Sequence, residues 1–267
     1  MVHMQLAGKV VLVTGGAKGV GRGISECFLQ SGAKVIVCGR NAPETMPSFD
    51  GRAAEFIAAD VRESEVCAAV VAEVMRREAH LDVLVNNAGG TPFALAGDAS
   101  PRYHESIIRL NLVAPLLLAI RANAVMQAQD LGGVIVNLGT VGAYDARPGS
   151  ATYAAAKAGV LSLTRSLAVE WAPKVRVVSV SPGLVMTEQS HLHYGDEAGL
   201  AAVARTVPLR RMAQPSDIGA ACVFLASAAG GYISGTDLLV HGGGERPAFL
   251  DAANVNKHQL EPESGSP

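Results

Sequence analysis

The first strand of this chain and the loop after it constrain the fold more than any other stretch. A continuously apolar, β-branched run at residues 10–14 is typical of a strand buried on both faces of a parallel sheet. The glycine-rich segment GGAKGVGRG follows at 15–23, and a helical pattern continues to residue 30. Together with a second apolar run at 34–38, these elements predict a βαβ unit and therefore a parallel sheet with crossover helices.

The glycine-rich loop has the composition of a dinucleotide-binding turn. Gly15, Gly19 and Gly21 permit a tight turn, a close approach of the backbone to a diphosphate and close packing of the next helix. The N-terminus of that helix, near Val20, points at the bound anion. Glycine-rich turns after strands are common, so the loop alone is a weak signal. The complete βαβ unit predicts nucleotide binding.

The residues after the second strand predict which dinucleotide binds. An acidic residue there would hydrogen-bond the ribose hydroxyls of NAD(H), whereas an arginine accommodates the 2′-phosphate of NADP(H). This chain has Gly39 and Arg40, with no carboxylate before Glu44, and Lys18 adds a cation within the glycine loop. The sequence therefore favours NADP(H) over NAD(H). The alternative is that both cations are ordinary surface residues.

Strands and helices alternate along the rest of the chain. The pattern predicts strands at 56–59, 81–85, 134–138, 175–180 and 237–240, and helices at 64–79, 101–129, 152–171 and 216–227. Residues 41–52 are predicted as a turn-rich connection, and 187–212 as a lid or substrate-binding insertion. We predict one doubly wound α/β domain over 1–267: a parallel β-sheet of about seven strands with helices on both faces, a Rossmann fold. Its core covers about 6–244, followed by a tail at 245–267.

Polar and glycine-containing loops follow several of the predicted strands. Asp60 and Val61 follow the third strand, NNAG at 86–89 follows the fourth, and SPGLVMT at 181–187 follows the sixth. The carboxyl ends of parallel strands share one sheet edge, so these loops are expected to converge on one crevice. Asp60 is a candidate for contact with the adenine ring, with a turn-capping aspartate as the equal alternative.

The segment YAAAK carries a tyrosine and a lysine on one helix face. Tyr153 and Lys157 are four residues apart in an alanine-rich stretch with good helix propensity. An ammonium beside a phenol favours the phenolate, so we expect a lowered tyrosine pKa that suits proton transfer. The alternative is a solvated lysine beside a half-buried tyrosine.

Composition argues against several other classes of protein. The net charge is −2 and no long basic run is present, so neither nucleic acid nor an anionic membrane is an expected partner. No apolar stretch is judged long enough to span a bilayer, and no secretory segment is recognised at the start, so a cytoplasmic protein is expected. The scattered cysteines predict no metal site and indicate a reducing compartment. These are Cys27, Cys38, Cys67 and Cys222.

Together these motifs resemble the short-chain dehydrogenase/reductase family, in its compact single-domain branch. The resemblance covers about residues 6–244. It rests on TGGAKGVG at 14–21, Asp60-Val61, NNAG at 86–89, Asn111, YAAAK at 153–157 and PGLVMT at 182–187. The resemblance implies an enzyme that transfers a hydride between a nicotinamide cofactor and a secondary alcohol or ketone.

The resemblance also implies a catalytic group of four residues. Tyr153 is the general acid/base, and Lys157 lowers its pKa and binds the nicotinamide ribose. Asn111 holds a water that links the lysine to solvent. Thr140 stands thirteen residues before the tyrosine, where the family has a serine. It keeps the hydroxyl, but its methyl group restricts the side chain and crowds the pocket.

The cofactor-binding residues implied by the resemblance come from the same motifs. They are Gly15, Lys18, Gly19, Val20, Gly21, Arg40, Asp60, Val61, Asn87, Ala88, Gly89, Tyr153, Lys157, Pro182, Gly183, Val185 and Thr187. Asn86, the first residue of NNAG, is also expected to line the cofactor. The family pairs through its long helices, so a dimer or tetramer is expected.

The substrate is predicted only by class. Five apolar residues are candidates for a hydrophobic pocket: Phe93, Leu95, Leu184, Met186 and Leu192. Arg210 and Arg211 are candidates for attracting a phosphorylated acyl carrier. We predict a secondary alcohol or ketone on a mainly hydrophobic small molecule, with an acyl thioester as a second form. This leaves a hydroxysteroid-type dehydrogenase and a 3-oxoacyl-thioester reductase as alternatives.

Two further classes are weighed against the enzyme. A non-catalytic dinucleotide-binding regulator on the same fold is opposed by the presence of both Tyr153 and Lys157. A sugar-nucleotide epimerase or dehydratase of the longer family branch would need a larger C-terminal substrate domain than this chain offers.

Overall fold

The computed structural model of the protein describes residues 4–245, 247–248 and 252. Most of the predicted tail at 245–267 therefore lies outside the described residues, and its role stays a prediction.

Seven parallel strands form one sheet, which confirms the predicted fold class. In sheet order these are β5 (Glu55–Ala58), β2 (Lys34–Gly39), β1 (Val10–Thr14), β6 (Val83–Asn86), β7 (Gly133–Leu138), β8 (Val175–Pro182) and β9 (Asp237–Val240). The chain runs outward in one direction from β1 and in the other from β6, so the topological switch lies between these two strands. Ligands bind at such a switch, outside the carboxyl ends of the strands.

Helices cover both faces of this sheet. In chain order, the α-helices of the protein are α1 (Gly19–Gln30), α2 (Ser64–Glu78), α3 (Pro101–Ile108), α4 (Ala114–Ala128), α5 (Ala151–Glu170), α6 (His191–Tyr194), α7 (Glu197–Thr206) and α8 (Pro215–Ala226), of which α6 and α7 contribute no buried residue. Strand β1 shows why its apolar run is continuous. Val10 and Leu12 enter the core layer shared with α2, α4 and α5, whereas Val11 and Val13 enter the layer shared with α1 and α8. Alternate side chains of a strand point to opposite faces, so both faces of β1 are buried.

The connection at 41–52 is more ordered than the sequence prediction. It contains a two-stranded hairpin in which β3 (Ser48–Phe49) pairs with β4 (Arg52–Ala53). The turn residues Asp50 and Gly51 have positive φ angles of 48° and 75°. Asp-Gly is the dipeptide that favours such a hairpin turn, so the sequence contained a signal for it.

The predicted continuous helix at 101–129 is interrupted. A π-helical turn at Arg109–Val113 separates α3 from α4. Within this turn the buried amide of Asn111 bonds to the carbonyl of Ile107 and to the backbone of Gly90. Single π turns inside helices are frequent at functional sites.

The apolar length of this helical stretch also differs from the prediction. Pro101–Ala128 has 28 residues, and its most apolar window has a mean hydropathy of 1.5, enough to cross a membrane by length and composition. The expectation that no stretch reaches this length was wrong by that measure. Leu118, Ala122 and Met126 of α4 are buried in the core layer beside the sheet, and a buried core helix passes the same test.

Candidate functional site

A cleft runs along the carboxyl edge of the sheet at the switch between β1 and β6. It consists of two adjoining hollows of about 430 and 490 Å³. Both hollows are lined by Gly15, Lys18, Ala88, Gly89 and Gln189. With the exception of Asn86, every cofactor-binding residue predicted from the family motifs lines one hollow or the other. We call the larger hollow the nucleotide end, with Arg40, Asp60 and Arg62, and the smaller the catalytic end, with Thr140, Tyr153 and Lys157.

The glycine loop forms a cradle that larger residues would fill. Gly15 and Gly19 have positive φ angles of 62° and 49°. A Cβ atom on Gly21 would lie 2.2 Å from the carbonyl oxygen of Gly15. The Asn87 side-chain amide donates to the carbonyls of Thr14 (2.9 Å) and Gly15 (3.2 Å), which ties the loop to the NNAG segment. A diphosphate fits such a loop because the backbone is open to close approach.

An acidic side chain occupies one backbone donor of this loop. The Glu188 carboxylate accepts a hydrogen bond from the Gly19 N–H at 3.2 Å. Gln189 lines both hollows beside it. Sequence reasoning missed both residues, because nothing in the segment after Thr187 indicates that it folds back onto the first glycine loop. The contact joins residues that are 169 positions apart.

The nucleotide end is rich in cations. Among the described residues, Lys18, Arg40 and Arg62 line it together with a single carboxylate, that of Asp60. Arg62 forms a forked ion pair with Asp60, with Nε at 2.9 Å from Oδ1, and this pair with the added charge of Arg40 lowers the pKa of the carboxyl. The role of Arg62 was missed, although it stands only two residues after Asp60. Three cations against one carboxylate favour a phosphate-bearing ligand.

The two asparagines of NNAG have different positions, and the prediction for Asn86 was wrong. Asn86 is buried, and its side-chain amide donates to the carbonyl of Pro115 at 3.0 Å and to Oδ1 of Asn137 at 2.9 Å. It does not line the cleft, whereas Asn87 does. Consecutive residues at a strand end point to opposite sides, so only one of the pair can face the ligand.

Tyr153 and Lys157 lie together at the catalytic end, on the first turns of α5. The Lys157 Nζ atom is 5.8 Å from the centre of the Tyr153 ring and donates to the carbonyl of Leu138 at 2.7 Å. Only 2% of Lys157 is exposed, and its burial lowers the pKa of the ammonium to about 8.

The pKa of Tyr153 differs from the sequence prediction of a lowered value. Burial raises the pKa of its phenol to about 12, and the neighbouring Thr140 hydroxyl opposes this only in part. Burial of the phenol is thus the largest cause of the shift, and the nearby Lys157 ammonium is itself buried and bonded to the carbonyl of Leu138.

Thr140 stands at the end of β7 and begins a short 3-10 turn, Val141–Ala143. Its Oγ1 accepts from the N–H of Gly142 at 3.2 Å. A hydroxyl that accepts one hydrogen bond can still donate its proton, which Thr140 can direct to the Tyr153 oxygen or to a ligand oxygen beside it. The structure thus gathers Thr140, Tyr153 and Lys157 as the motif spacing predicts.

Asn111 is the one predicted catalytic residue that does not line the cleft. Its Oδ1 accepts from the N–H of Gly90 at 2.9 Å, and its Nδ2 donates to the carbonyls of Gly90 (3.0 Å) and Ile107 (2.9 Å). A Cβ on Gly89 would lie 2.6 Å from Asn111 Oδ1 and 3.3 Å from Lys157 Nζ. Asn111 therefore holds the Gly89–Gly90 backbone next to the lysine, and its predicted water relay stays a prediction.

The apolar residues proposed for a hydrophobic pocket are not gathered into one wall. Phe93 is 74% exposed and Leu192 70%, and neither lines the cleft. Leu95 and Met186 are also absent from its lining, and Leu184 borders a separate hollow beside it. Arginines 210 and 211 are held by protein partners: Arg211 pairs with Asp217 at 2.5 Å, and Arg210 donates to the carbonyl of Arg205.

The chain is similar to several known proteins. A family model described as enoyl-(acyl carrier protein) reductase matches residues 15–245. The chain is 36% identical to an L-fucose dehydrogenase of Oryctolagus cuniculus over 252 residues, covering 90% of this chain and 86% of the relative. It is 34% identical to 3beta-hydroxysteroid dehydrogenase 1 of Eggerthella lenta over 249 residues, covering 91% and 95%.

A solved structure is similar as well. The ligand-free aldohexose dehydrogenase of Thermoplasma acidophilum superposes with a TM-score of 0.81 at 27% identity, covering 99% of this chain and 98% of that one.

Proposed function

The chain belongs to the short-chain dehydrogenase/reductase family of oxidoreductases, and from this premise we propose that it interconverts a secondary alcohol and a ketone with Tyr153 as general acid/base. The observation that carries the proposal is the shared cleft. Thr140, Tyr153 and Lys157 line one end, and the cations Arg40 and Arg62 line the other. A dinucleotide that reaches from the cations to the tyrosine would bring its reactive ring to a general acid.

A nicotinamide dinucleotide fits the residues of this cleft. The glycine loop would hold the diphosphate, and the NNAG segment and Lys157 would face the nicotinamide half. When bound, this cofactor supplies or accepts the hydride. The protein's part is to orient the substrate, to exclude water and to move one proton.

The proton is assigned to the Tyr153 hydroxyl. With a pKa of about 12, the phenol is protonated at neutral pH, the form needed to donate a proton to a carbonyl oxygen that gains negative charge. Thr140 donates a hydrogen bond to the same oxygen and stabilises its charge. In the direction of alcohol oxidation the phenol must first lose its proton, and the Lys157 ammonium beside it favours the phenolate.

We further propose that NADP(H) is preferred over NAD(H). Two features of the described residues support this. The end of β2 carries Arg40 rather than a carboxylate, and the carboxylate of Asp60 is already paired with Arg62. A ribose 2′-phosphate would meet the exposed Arg40 and Lys18, which can pair with it by charge-assisted hydrogen bonds.

The substrate class is supported by the names of the relatives. Their names refer to L-fucose, to a 3β-hydroxysteroid and to an aldohexose, and each of these carries hydroxyl groups on ring carbons. A secondary alcohol or the matching ketone is the shared chemistry. The acyl-thioester alternative has weaker support, because both arginines proposed to attract an acyl carrier have protein partners: Arg211 pairs with Asp217, and Arg210 donates to the carbonyl of Arg205.

Self-association as a dimer or tetramer is part of the proposal. Large apolar side chains on the long helices are exposed in the single chain, including Ile108 (41%), Ile120 (43%) and Val169 (80%). Burying them between subunits would be favourable.

The decisive test is Tyr153→Phe. We expect NADPH binding within about threefold of wild type and turnover reduced by about 10³-fold or more, because the proton donor is lost while the ring remains. Binding is measured by fluorescence titration and turnover by NADPH absorbance. Tyr232→Phe is the matched control, because Tyr232 is fully exposed and lines neither hollow of the cleft. Unchanged turnover in Tyr153→Phe would refute the assignment.

A further inference from the structure

A second hollow beside the catalytic end is lined by charged side chains that the proposed chemistry does not use. Gly183 lines both this hollow and the catalytic end, so the two adjoin. We call it the substrate hollow. Its charged and titratable residues are Asp145, Arg147, His241 and Glu245, and its apolar residues are Val141, Leu184 and Val207.

Arg147 brings this hollow next to Thr140. A Cβ built on Gly142 would lie 3.0 Å from Arg147 Cγ and 3.6 Å from Thr140 Cγ2. Gly142 is also the residue whose N–H donates to the Thr140 hydroxyl. The aliphatic part of the Arg147 side chain therefore packs against Gly142. This glycine also contacts Thr140, whose hydroxyl is proposed to bind the substrate oxygen. Beyond the stem, the guanidinium Nη2 donates to Glu245 Oε1 at 2.5 Å.

Glu245 reaches this place through the turn after β9. Gly242, Gly243 and Gly244 all have positive φ angles, of 65°, 101° and 86°. A Cβ on Gly242 would lie 2.7 Å from Val207, and one on Gly243 would lie 2.9 Å from Pro208. The three glycines let the chain turn back against this segment and return to the catalytic end. The positive φ angles of this turn thus explain the three glycines of the motif HGGGE at 241–245.

The ion pair is poorly placed to stabilise the fold. The side chains of Arg147 and Glu245 are 27% and 47% exposed, and exposed ion pairs contribute little stability. Both charges also act on the half-buried phenol of Tyr194: burial raises its pKa most, Arg147 lowers it and Glu245 raises it further. In the part of the chain that the structure describes, Arg147 donates one side-chain hydrogen bond, to Glu245, so the other N–H donors of the guanidinium and the second carboxylate oxygen can bind a ligand.

We propose that Arg147 and Glu245 determine specificity by hydrogen-bonding hydroxyl groups adjacent to the reacting carbon, so that the substrate is a polyol or a sugar. The inference rests on the proposed oxidoreductase function. A hydroxyl both donates and accepts, which matches a guanidinium beside a carboxylate. An anionic substrate would meet the two carboxylates of Asp145 and Glu245. An apolar one would desolvate the ion pair without replacing its hydrogen bonds.

This substrate class differs from the mainly hydrophobic one that the sequence predicts. The reason is the placement of the side chains. The apolar residues Phe93 and Leu192 are exposed outside the cleft, while the charged pair lies beside Thr140.

The test compares substrates with and without additional hydroxyl groups. Purified full-length protein with NADP⁺ is assayed on a panel of polyols and aldoses that includes D-threitol and L-fucose, and on cyclohexanol as a secondary alcohol with no other hydroxyl. Arg147→Met keeps the stem that packs on Gly142 and removes the donors. Glu245→Gln removes the charge at similar shape. Arg76→Met is the matched control, because it breaks the exposed Arg76–Glu73 pair on α2.

We expect wild-type turnover of panel members, and we expect Arg147→Met to lower their kcat/KM by about 10- to 100-fold, mainly through KM, because charge-assisted hydrogen bonds are lost. A smaller loss in the same direction is expected for Glu245→Gln. Turnover of cyclohexanol should stay within about twofold of wild type in both variants. Arg76→Met should leave both substrate classes unchanged, and thermal unfolding of all variants should match that control.

Two results would overturn the proposal while the oxidoreductase function stands. One is turnover of cyclohexanol with no turnover of any polyol or aldose. The other is an equal effect of Arg147→Met on both substrate classes. Absence of turnover with every substrate would instead overturn the proposed function itself, and this inference with it.

Discussion

The nucleotide end and the substrate hollow are formed by different kinds of chain segment. The nucleotide end takes Lys18, Arg40 and Asp60 from loops that directly follow strands β1, β2 and β5. The substrate hollow joins Arg147 to Glu245, 98 positions later, through a glycine turn at the end of the last strand. The proposed cofactor site is thus formed by the edge of the sheet. The residues proposed to contact the substrate are carried by segments that can change without disturbing that edge.

The largest effect on cofactor affinity is expected from adding a side chain within the glycine loop. Gly21→Ala would place a Cβ 2.2 Å from the backbone carbonyl of Gly15, so the loop must shift. We expect NADPH affinity to fall by about 100-fold or more, because the diphosphate site depends on this close packing. The measurement is fluorescence titration, with the unfolding midpoint followed in parallel.

Gly97→Ala is the control for that variant. A Cβ at Gly97 would meet no atom of the described residues within 4 Å, and this glycine is not in the left-handed region. We expect binding and unfolding to match wild type. If Gly21→Ala binds NADPH normally, the glycine loop does not hold the cofactor, and the proposed diphosphate site is wrong.

A smaller effect is expected at the cation proposed to read the cofactor's phosphate. Arg40→Ala should weaken NADPH by about 10- to 100-fold and NADH by less than about threefold, because only NADPH carries the 2′-phosphate. The measurement is the ratio of the two dissociation constants. Equal losses for both cofactors would show that Arg40 does not distinguish them, and would leave the nucleotide end without its proposed selectivity.

The smallest effect is expected at Glu188. This residue lies in the segment after Thr187 and links that segment to the glycine loop. Its carboxylate accepts from the Gly19 N–H at 3.2 Å, a donor of the loop proposed for the cofactor diphosphate. Glu188→Gln removes a like charge from this site. We expect NADPH to bind about two- to fivefold more tightly at low salt, with the gain shrinking as salt screens the repulsion. Weaker binding would mean that Glu188 supports the loop rather than competing with the cofactor.

Much of the nucleotide end was predictable because the residues of each of its motifs lie close together in the sequence. The alternation of β1 between two buried layers gives a continuous apolar run, and the glycines follow that run at once. Spacing also predicted the gathering of Thr140, Tyr153 and Lys157, since four residues make one helix turn and parallel strands end at one edge. The errors here were local. Asn86 points into the core, and the Asp-Gly turn makes a hairpin.

The raised pKa of Tyr153 was not predictable in the same way. Its sign depends on how far the phenol and the ammonium are desolvated, which requires the whole cleft. Similarly, apolar composition suggested a pocket from Phe93 and Leu192, whereas both side chains are exposed. The sequence shows that these apolar side chains could line a pocket, but only the tertiary packing determines whether they do.

By itself, therefore, the sequence determined the parallel sheet, the glycine cradle and the residues at the strand ends, because each follows from periodicity within one βαβ unit. The tertiary structure alone decided that Arg62 pairs with Asp60, that Glu188 caps the glycine loop and that Arg147 meets Glu245 beside Thr140. The last two contacts join segments far apart in the chain and depend on how loops turn back. No local pattern specifies that path.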